Sequence, residues 1–190
     1  MSRVFLPRTT EGMEWVLPVD PREKLRFVEE FGRPLAASWR PVPVKFVREG
    51  EDRGRKVRRV DMPWMGGDTL VLRPRAASAL RDLCLTAGEL LPLSCEEEEL
   101  VAWNVTTVVD AVDHERFEAT YASDGSLMHV ERYAFKADVV DRLIAFRVPE
   151  TRTAIFVAEE FVARVKEAGL TGTRFQEVWP TAALPRFPSW

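Results

Sequence analysis

The clearest pattern of apolar and polar positions lies near the C-terminal end of the chain. Apolar side chains recur there every three or four positions, the spacing of one helix face; they are Ala158, Phe161, Val162, Val165 and Ala168. Gly169 follows where a glycine often ends a helix, and Leu170 then falls where it can contact Val165. The apolar runs on either side predict a strand-helix-strand unit over residues 154–175.

Two earlier helices are indicated by the residues at their ends. Asp20 can cap the first, Pro21 fits its first turn and Glu23 completes a capping box, so we expect this helix to run to Gly32. Pro74 opens the second helix, which stops before Gly88. Its apolar face comprises Ala76, Leu80, Leu83, Cys84 and Ala87.

Runs of β-branched and aromatic residues predict about eight strands. They cover residues 42–47, 57–60, 69–72, 100–110, 115–121, 128–136, 144–148 and 154–157, and residues 89–93 continue as an extended segment. A polar glycine-containing loop is expected to join the first two strands as a hairpin, and the turn Ser123–Ser126 to join the fifth and sixth. About three helices and these strands, in no strict alternation, predict an α+β fold with a largely antiparallel sheet.

Composition narrows the class of protein. The 190 residues are 46% hydrophobic and 30% charged, which is typical of one globular domain. No apolar run is long enough to cross a membrane and the N-terminus does not resemble a signal peptide, so we expect a cytoplasmic protein. Cys84 and Cys95 are expected to be reduced structural thiols. The net charge of −3 argues against a dedicated nucleic-acid-binding protein.

The search for catalytic chemistry yields one group of residues. Asp110-Ala-Val-Asp-His-Glu115, with His129 further on, has the residue types of a metal site, and a metal-dependent hydrolase that uses His114 and His129 is therefore an alternative. The spacing matches no known metal motif, and a solvated turn explains His114 more simply. Nucleophile elbows and glycine-rich phosphate loops are also missing from the sequence. We therefore assign no catalytic residue, cofactor or metal ligand.

Two charge clusters have more than one interpretation. Arg53–Arg59 contains five cations that could attract a nucleic acid, although a solvated hairpin edge is the simpler explanation. Glu96–Glu99 could face a basic partner or border a strand in water. Of the six tryptophans, Trp64 and Trp190 are expected to be the most exposed and could anchor an interface.

Five stretches of the chain resemble, in the same order, a bacterial immunity-protein family of polymorphic toxin systems, of myxobacterial type and formerly a domain of unknown function. These stretches are Leu70–Leu83, Gly88–Leu93, Trp103–Asp113, Ile155–Glu159 and Gly169–Phe175. The resemblance implies a family core over residues 69–190. Residues 1–68 would be an N-terminal elaboration of the same domain.

The resemblance also implies a function. A member of this family would be a non-enzymatic protein that binds a cognate secreted toxin and neutralises it in the producing cell. A basic toxin would favour acidic and aromatic contacts. The expected partner-binding residues are Trp64, Glu96, Glu97, Glu98, Glu99, Asp110, Asp113 and Glu115. The hydrolase and a nucleic-acid-binding module that uses Arg53–Arg59 remain the alternatives.

Overall fold

The computed structural model describes residues 3–47, 57–66, 69–151 and 153–180. These residues include four helices and eleven strands. The helices are α1 (Lys24–Glu29), α2 (Pro74–Ala87), α3 (Ala137–Val140) and α4 (Glu159–Glu167). The strands are β1 (Val4–Thr9), β2 (Trp15–Pro18), β3 (Val42–Val47), β4 (Leu70–Leu72), β5 (Gly88–Ser94), β6 (Leu100–Val105), β7 (Glu118–Tyr121), β8 (Leu127–Arg132), β9 (Ala145–Phe146), β10 (Phe156–Ala158) and β11 (Thr173–Trp179). This content confirms the predicted α+β class.

The strands form three sheets. One has the order β2-β3-β5-β6-β4, the second has the order β11-β1-β10-β9, and β7 and β8 form a separate hairpin. Strands β3 and β5 pair in parallel, whereas the other paired strands of these sheets are antiparallel. The predicted antiparallel character is therefore confirmed.

The N-terminal strand β1 lies inside the second sheet. Val4 pairs with Ala158 of β10 on one side and with Trp179 of β11 on the other. The sequence pattern did not predict β1, because its first four residues are all buried and show no alternation of apolar and polar side chains. The C-terminal strand-helix-strand unit is thus completed by residues from the beginning of the chain.

Helices α2 and α4 cover the main core. The buried side chains of α2 are those predicted from its apolar face. Trp103 of β6 stacks on Phe161 of α4 with ring centroids 4.9 Å apart, and its indole N–H donates to the Cys84 carbonyl at 3.0 Å. At the end of α4, Gly169 has a φ of +60° and the Leu170 N–H donates to the Val165 carbonyl at 3.0 Å. The predicted glycine stop and the approach of Leu170 to Val165 are both confirmed.

A close backbone contact joins the segment before β4 to the end of the chain. Gly172 has a φ of +112°, and a Cβ at this position would lie 2.3 Å from the Met62 carbonyl oxygen. The Met62 N–H donates to the Thr171 carbonyl at 2.9 Å, and the Asp61 carboxylate accepts from the Thr171 N–H at 3.0 Å. Only glycine combines this conformation with this approach.

Two local predictions were wrong, a strand with its hairpin and the length of the first helix. Residues 57–60 form no strand, because Arg58 makes only a single bridge to Met13 while β3 pairs with β2 and β5. The first helix is shorter than predicted: a 3-10 turn over Pro21–Glu23 leads into α1, which ends at Glu29. Trp190 and residues 53–56 of the arginine cluster lie outside the described residues. None of the described helices is long and apolar enough to span a membrane.

Candidate functional site

The acidic residues predicted to bind a partner lie at the two ends of β6. Glu96–Glu99 precede the strand, whereas Asp110, Asp113 and Glu115 follow it. A strand rises about 3.3 Å per residue, so the two ends of β6 are roughly 17 Å apart. The two groups also have different partners: Glu98 pairs with Arg73 and Arg59, whereas Asp110 pairs with Lys136.

At the first end, a buried arginine holds two carboxylates. This group, the Arg73 cluster, consists of Glu14, Arg59, Arg73 and Glu98. The buried Arg73 guanidinium donates to the Glu14 carboxylate and the Val60 carbonyl, and it lies 2.7 Å from Glu98. Arg59 contacts the same Glu98 carboxylate at 3.0 Å. Two arginines thus compensate the charge of Glu98.

The pKa values of the Arg73 cluster agree with this pairing. Burial alone would lower the pKa of Arg73, but hydrogen bonds to Glu98 and Glu14 outweigh it and the net shift is upward. The hydrogen bond from Arg73 lowers the pKa of Glu98; burial opposes it, and the charges of Arg73 and Arg59 reinforce it. Glu98 therefore acts as part of the scaffold, while its neighbours Glu96, Glu97 and Glu99 are exposed.

Trp64 lies near this end, and its predicted exposure was wrong. Its side chain is 8% exposed. Backbone bridges to Trp15 and Leu70 hold the residue between β2 and β4, which turns its ring into the protein. It offers little area to a partner. Trp15, which the sequence did not single out, is 40% exposed.

The acidic residues at the other end of β6 are more open to solvent. We call Asp110, Asp113, His114, Glu115 and Glu150 the open end. The Asp110 carboxylate lies 3.3 Å from the Lys136 ammonium, and that of Asp113 accepts from the Glu115 N–H at 3.2 Å. Asp110, His114 and Glu115 are exposed. The carboxylates of Asp110 and Glu115 are therefore at the surface.

The β7–β8 hairpin lies next along the chain and adds exposed apolar side chains. Tyr121 is 53% exposed and Met128 is 68% exposed, and both lie close to the turn of the hairpin. Ala119 and Val130 pair across the two strands and pack against the core. Aromatic and methionine side chains beside charged groups are typical of protein interfaces.

Three residues of the open end could hold a metal ion. The donor atoms of Asp110, His114 and Glu150 lie within 4.8 Å of one another, and His114 Nε2 is 3.2 Å from Glu150 Oε1. An imidazole and two carboxylates suit zinc. His129 is not in this group, so the suggested pair of His114 and His129 does not form one metal site among the described residues. Glu150 is distant in sequence, and no motif spacing could have identified it.

A cavity of about 370 Å³ lies beside the hairpin. Its polar lining includes His129, Glu150 and Thr151, and its apolar lining includes Leu127, Val130 and Ala154. Glu150 therefore belongs both to the open end and to the wall of this cavity. Sequence reasoning missed this site, because its residues come from β8 and from the turn before β10.

Of the arginine cluster, the structure describes residues 57–59. Arg58 exchanges backbone hydrogen bonds with Gly12 and Glu14, and the Arg59 side chain binds Glu98. These two residues thus contribute to the scaffold. Nucleic-acid binding by Arg53–Arg59 stays a prediction.

The comparisons with known proteins concern the second half of the chain. No curated protein matches the sequence. The matching family model begins at residue 97, later than the predicted start at residue 69, and its span includes β6 to β11, the β7–β8 hairpin and the open end. Over residues 97–179 the chain matches the immunity protein family Imm11, which confirms the predicted resemblance to a bacterial immunity-protein family.

Proposed function

We propose that the protein is a cytoplasmic immunity protein that binds a cognate toxin directly and blocks its activity in the producing cell. The match of residues 97–179 to an immunity protein family is the observation that carries this proposal. Cys84 is not suited to act as a catalytic nucleophile. Burial raises the pKa of its thiol, which makes this cysteine a poor nucleophile.

The toxin-binding surface that we propose consists of the open end and the β7–β8 hairpin. Both lie within the matched residues, and together they combine exposed carboxylates with two large exposed apolar side chains, Tyr121 and Met128. Binding energy in protein interfaces is concentrated in such apolar anchors, and surrounding charges act mainly on association. A basic toxin surface would complement Asp110, Asp113 and Glu115.

The Arg73 cluster is less suited to bind a partner. Glu98 is already bound by Arg73 and Arg59, so a toxin cation would have to compete with two arginines. Glu96, Glu97 and Glu99 remain exposed at this end. We expect them to contribute to long-range attraction more than to contact.

Growth rescue tests the proposed function. A cognate toxin domain would be expressed in a sensitive host, with and without this chain, and the complex would then be purified. We expect the wild-type chain to restore growth and to co-purify with the toxin. A wild-type chain that is expressed but neither restores growth nor binds the toxin contradicts the proposal.

A paired substitution tests the surface. Tyr121→Ala with Met128→Ala removes two exposed apolar side chains from the hairpin, and we expect affinity for the toxin to fall about tenfold or more. The matched control, Leu25→Ala with Leu85→Ala, removes two side chains that are 55% and 49% exposed on α1 and α2. Equal losses in both double variants would exclude the hairpin as the centre of the interface.

A further inference from the structure

The cavity beside the β7–β8 hairpin has two buried oxygen atoms in its lining residues that find no hydrogen-bond partner in the part of the chain that the structure describes. These atoms are Glu150 Oε2 and Thr151 Oγ1. Thr151 is only 8% exposed, and the Glu150 side chain is 19% exposed. Buried polar atoms in folded proteins are nearly always paired, because leaving them without a partner costs free energy.

The two carboxylate oxygens of Glu150 have different surroundings. Oε1 lies 3.2 Å from His114 Nε2 at the open end, whereas Oε2 is shielded from water and receives no hydrogen bond from the described residues. The last torsion of a glutamate side chain is soft, so a small rotation can turn Oε2 toward the cavity. Glu150 is therefore placed to accept a donor that enters from outside.

The remaining lining suits the stem of a long side chain. Leu127, Val130 and Ala154 provide apolar walls, and the volume of about 370 Å³ is at the lower end of the range for ligand sites. Lysine and arginine combine an aliphatic stem with a cationic head. The carboxylates of Asp110, Asp113 and Glu115 at the neighbouring open end favour the same charge.

We propose that this cavity receives a lysine or arginine side chain of the toxin, whose cationic head binds Glu150 and Thr151. The inference rests on the proposed function and specifies the chemistry of the partner. The cation supplies the donors that Glu150 Oε2 and Thr151 Oγ1 lack in the free protein. The free protein thus keeps an unsatisfied site that is completed in the complex.

Two substitutions and a matched control test the cavity with the purified toxin domain. Glu150→Gln keeps the shape of the side chain and removes its charge, and we expect the dissociation constant to rise about tenfold, mainly through faster dissociation. Thr151→Val removes one acceptor, and we expect a rise of about threefold. Glu167→Gln removes an exposed charge from α4 and should change affinity less than about twofold.

Thermal unfolding of the free variants separates recognition from a structural role. Because Glu150 Oε2 has no hydrogen-bond partner among the described residues, Glu150→Gln should leave the midpoint of unfolding unchanged or raise it. A lower midpoint together with weaker binding would indicate a structural role and would overturn the inference. Among single lysine and arginine substitutions in the toxin, one should lose its effect when combined with Glu150→Gln.

Two further outcomes would overturn the inference while the proposed function stands. In the first, the wild-type chain binds the toxin and Glu150→Gln binds it equally well. In the second, a chelator abolishes binding by the wild-type chain, because a metal ion at Asp110, His114 and Glu150 would then be the cation. A wild-type chain that does not bind the toxin at all refutes the proposed function and this inference with it.

Discussion

The two ends of β6 carry carboxylates in similar number, but the protein uses them differently. In the Arg73 cluster, Glu14 and Glu98 are bound by a buried guanidinium and a second arginine. At the open end, Asp110 and Glu115 are exposed, and one oxygen of Glu150 has no partner among the described residues. The number of acidic residues therefore does not identify a binding surface. A binding surface is identified by how far the fold has already buried and paired each carboxylate.

The segments that each end of β6 connects explain why the two groups of carboxylates differ. The Arg73 cluster links Glu14, at the start of β2, to Arg73 before α2 and to Glu98 before β6, so it ties together segments distant in sequence. The open end continues into a hairpin that is a two-stranded sheet of its own. Changes in the first should affect folding, and changes in the second should affect recognition.

The largest expected effect is on the stability of the Arg73 cluster. Arg73→Ala removes the buried guanidinium that pairs with Glu14 and Glu98, and we expect the free energy of unfolding to fall by about 3–5 kcal/mol. Urea denaturation of the purified variants measures this change. Cation–π contact with Phe46, whose ring centroid lies 4.6 Å from the guanidinium carbon, would be lost as well.

Arg116→Ala, beside the open end, is the matched control for Arg73→Ala. The Arg116 side chain is 79% exposed and lies 3.8 Å from Asp113, so Arg116→Ala should cost less than about 0.5 kcal/mol. Comparable losses of stability in the two variants would mean that the two ends do not differ in the way we describe.

The next effect concerns the rate of toxin association. Asp110→Lys with Glu115→Lys reverses two charges at the open end, and Glu96→Lys with Glu99→Lys makes the same change in net charge at the other end. We expect the association rate constant at low salt to fall about fivefold in the first double variant and less than about twofold in the second. Stopped-flow mixing with the toxin domain measures both rates.

Salt provides the internal check on this comparison. Because the two double variants have equal net charge, the difference between them reports where the charge lies and should shrink as ionic strength rises. A larger effect of Glu96→Lys with Glu99→Lys would move the toxin-binding surface to that end of β6. Equal effects would mean that only overall charge attracts the toxin.

The fold was predictable where side-chain periodicity and helix ends agree. The buried faces of α2 and α4 follow the spacing of their apolar residues, and Gly169 ends α4 as a residue in the left-handed region. Strand β1 was not predictable in this way, since its pairing with β10 and β11 joins opposite ends of the chain. Local sequence contains no record of such partners.

The candidate site was predictable in its residue types but not in its arrangement. Asp113 and Glu115 are close in sequence and remain close in space, because one surface turn carries both. Glu98 was indistinguishable from its neighbours until the fold brought Arg73 beside it. The position of Glu150 likewise depends on the turn before β10, which sequence spacing does not specify.

The smallest expected effect is the pH dependence of stability that Glu98 contributes. The hydrogen bond from Arg73 lowers the pKa of Glu98 in the folded protein, so the stabilisation is complete above its ordinary pKa and is lost as the pH falls through the folded pKa. Glu98→Gln should therefore lower the free energy of unfolding by up to about 1 kcal/mol near neutral pH. As the pH falls below the ordinary pKa of a glutamate, the difference from the wild-type chain should shrink, because the unfolded wild-type chain then binds the proton more readily than the folded one.

Urea denaturation of both proteins across this pH range tests the assignment of Glu98 to the scaffold. Glu99→Gln, at an exposed neighbouring position, is the matched control and should follow the wild-type profile. A Glu98→Gln profile parallel to that of the wild-type chain would show that Glu98 is not held by Arg73 in solution. Its carboxylate would then be as available to a toxin as those of the open end, and the distinction between the two ends of β6 would disappear.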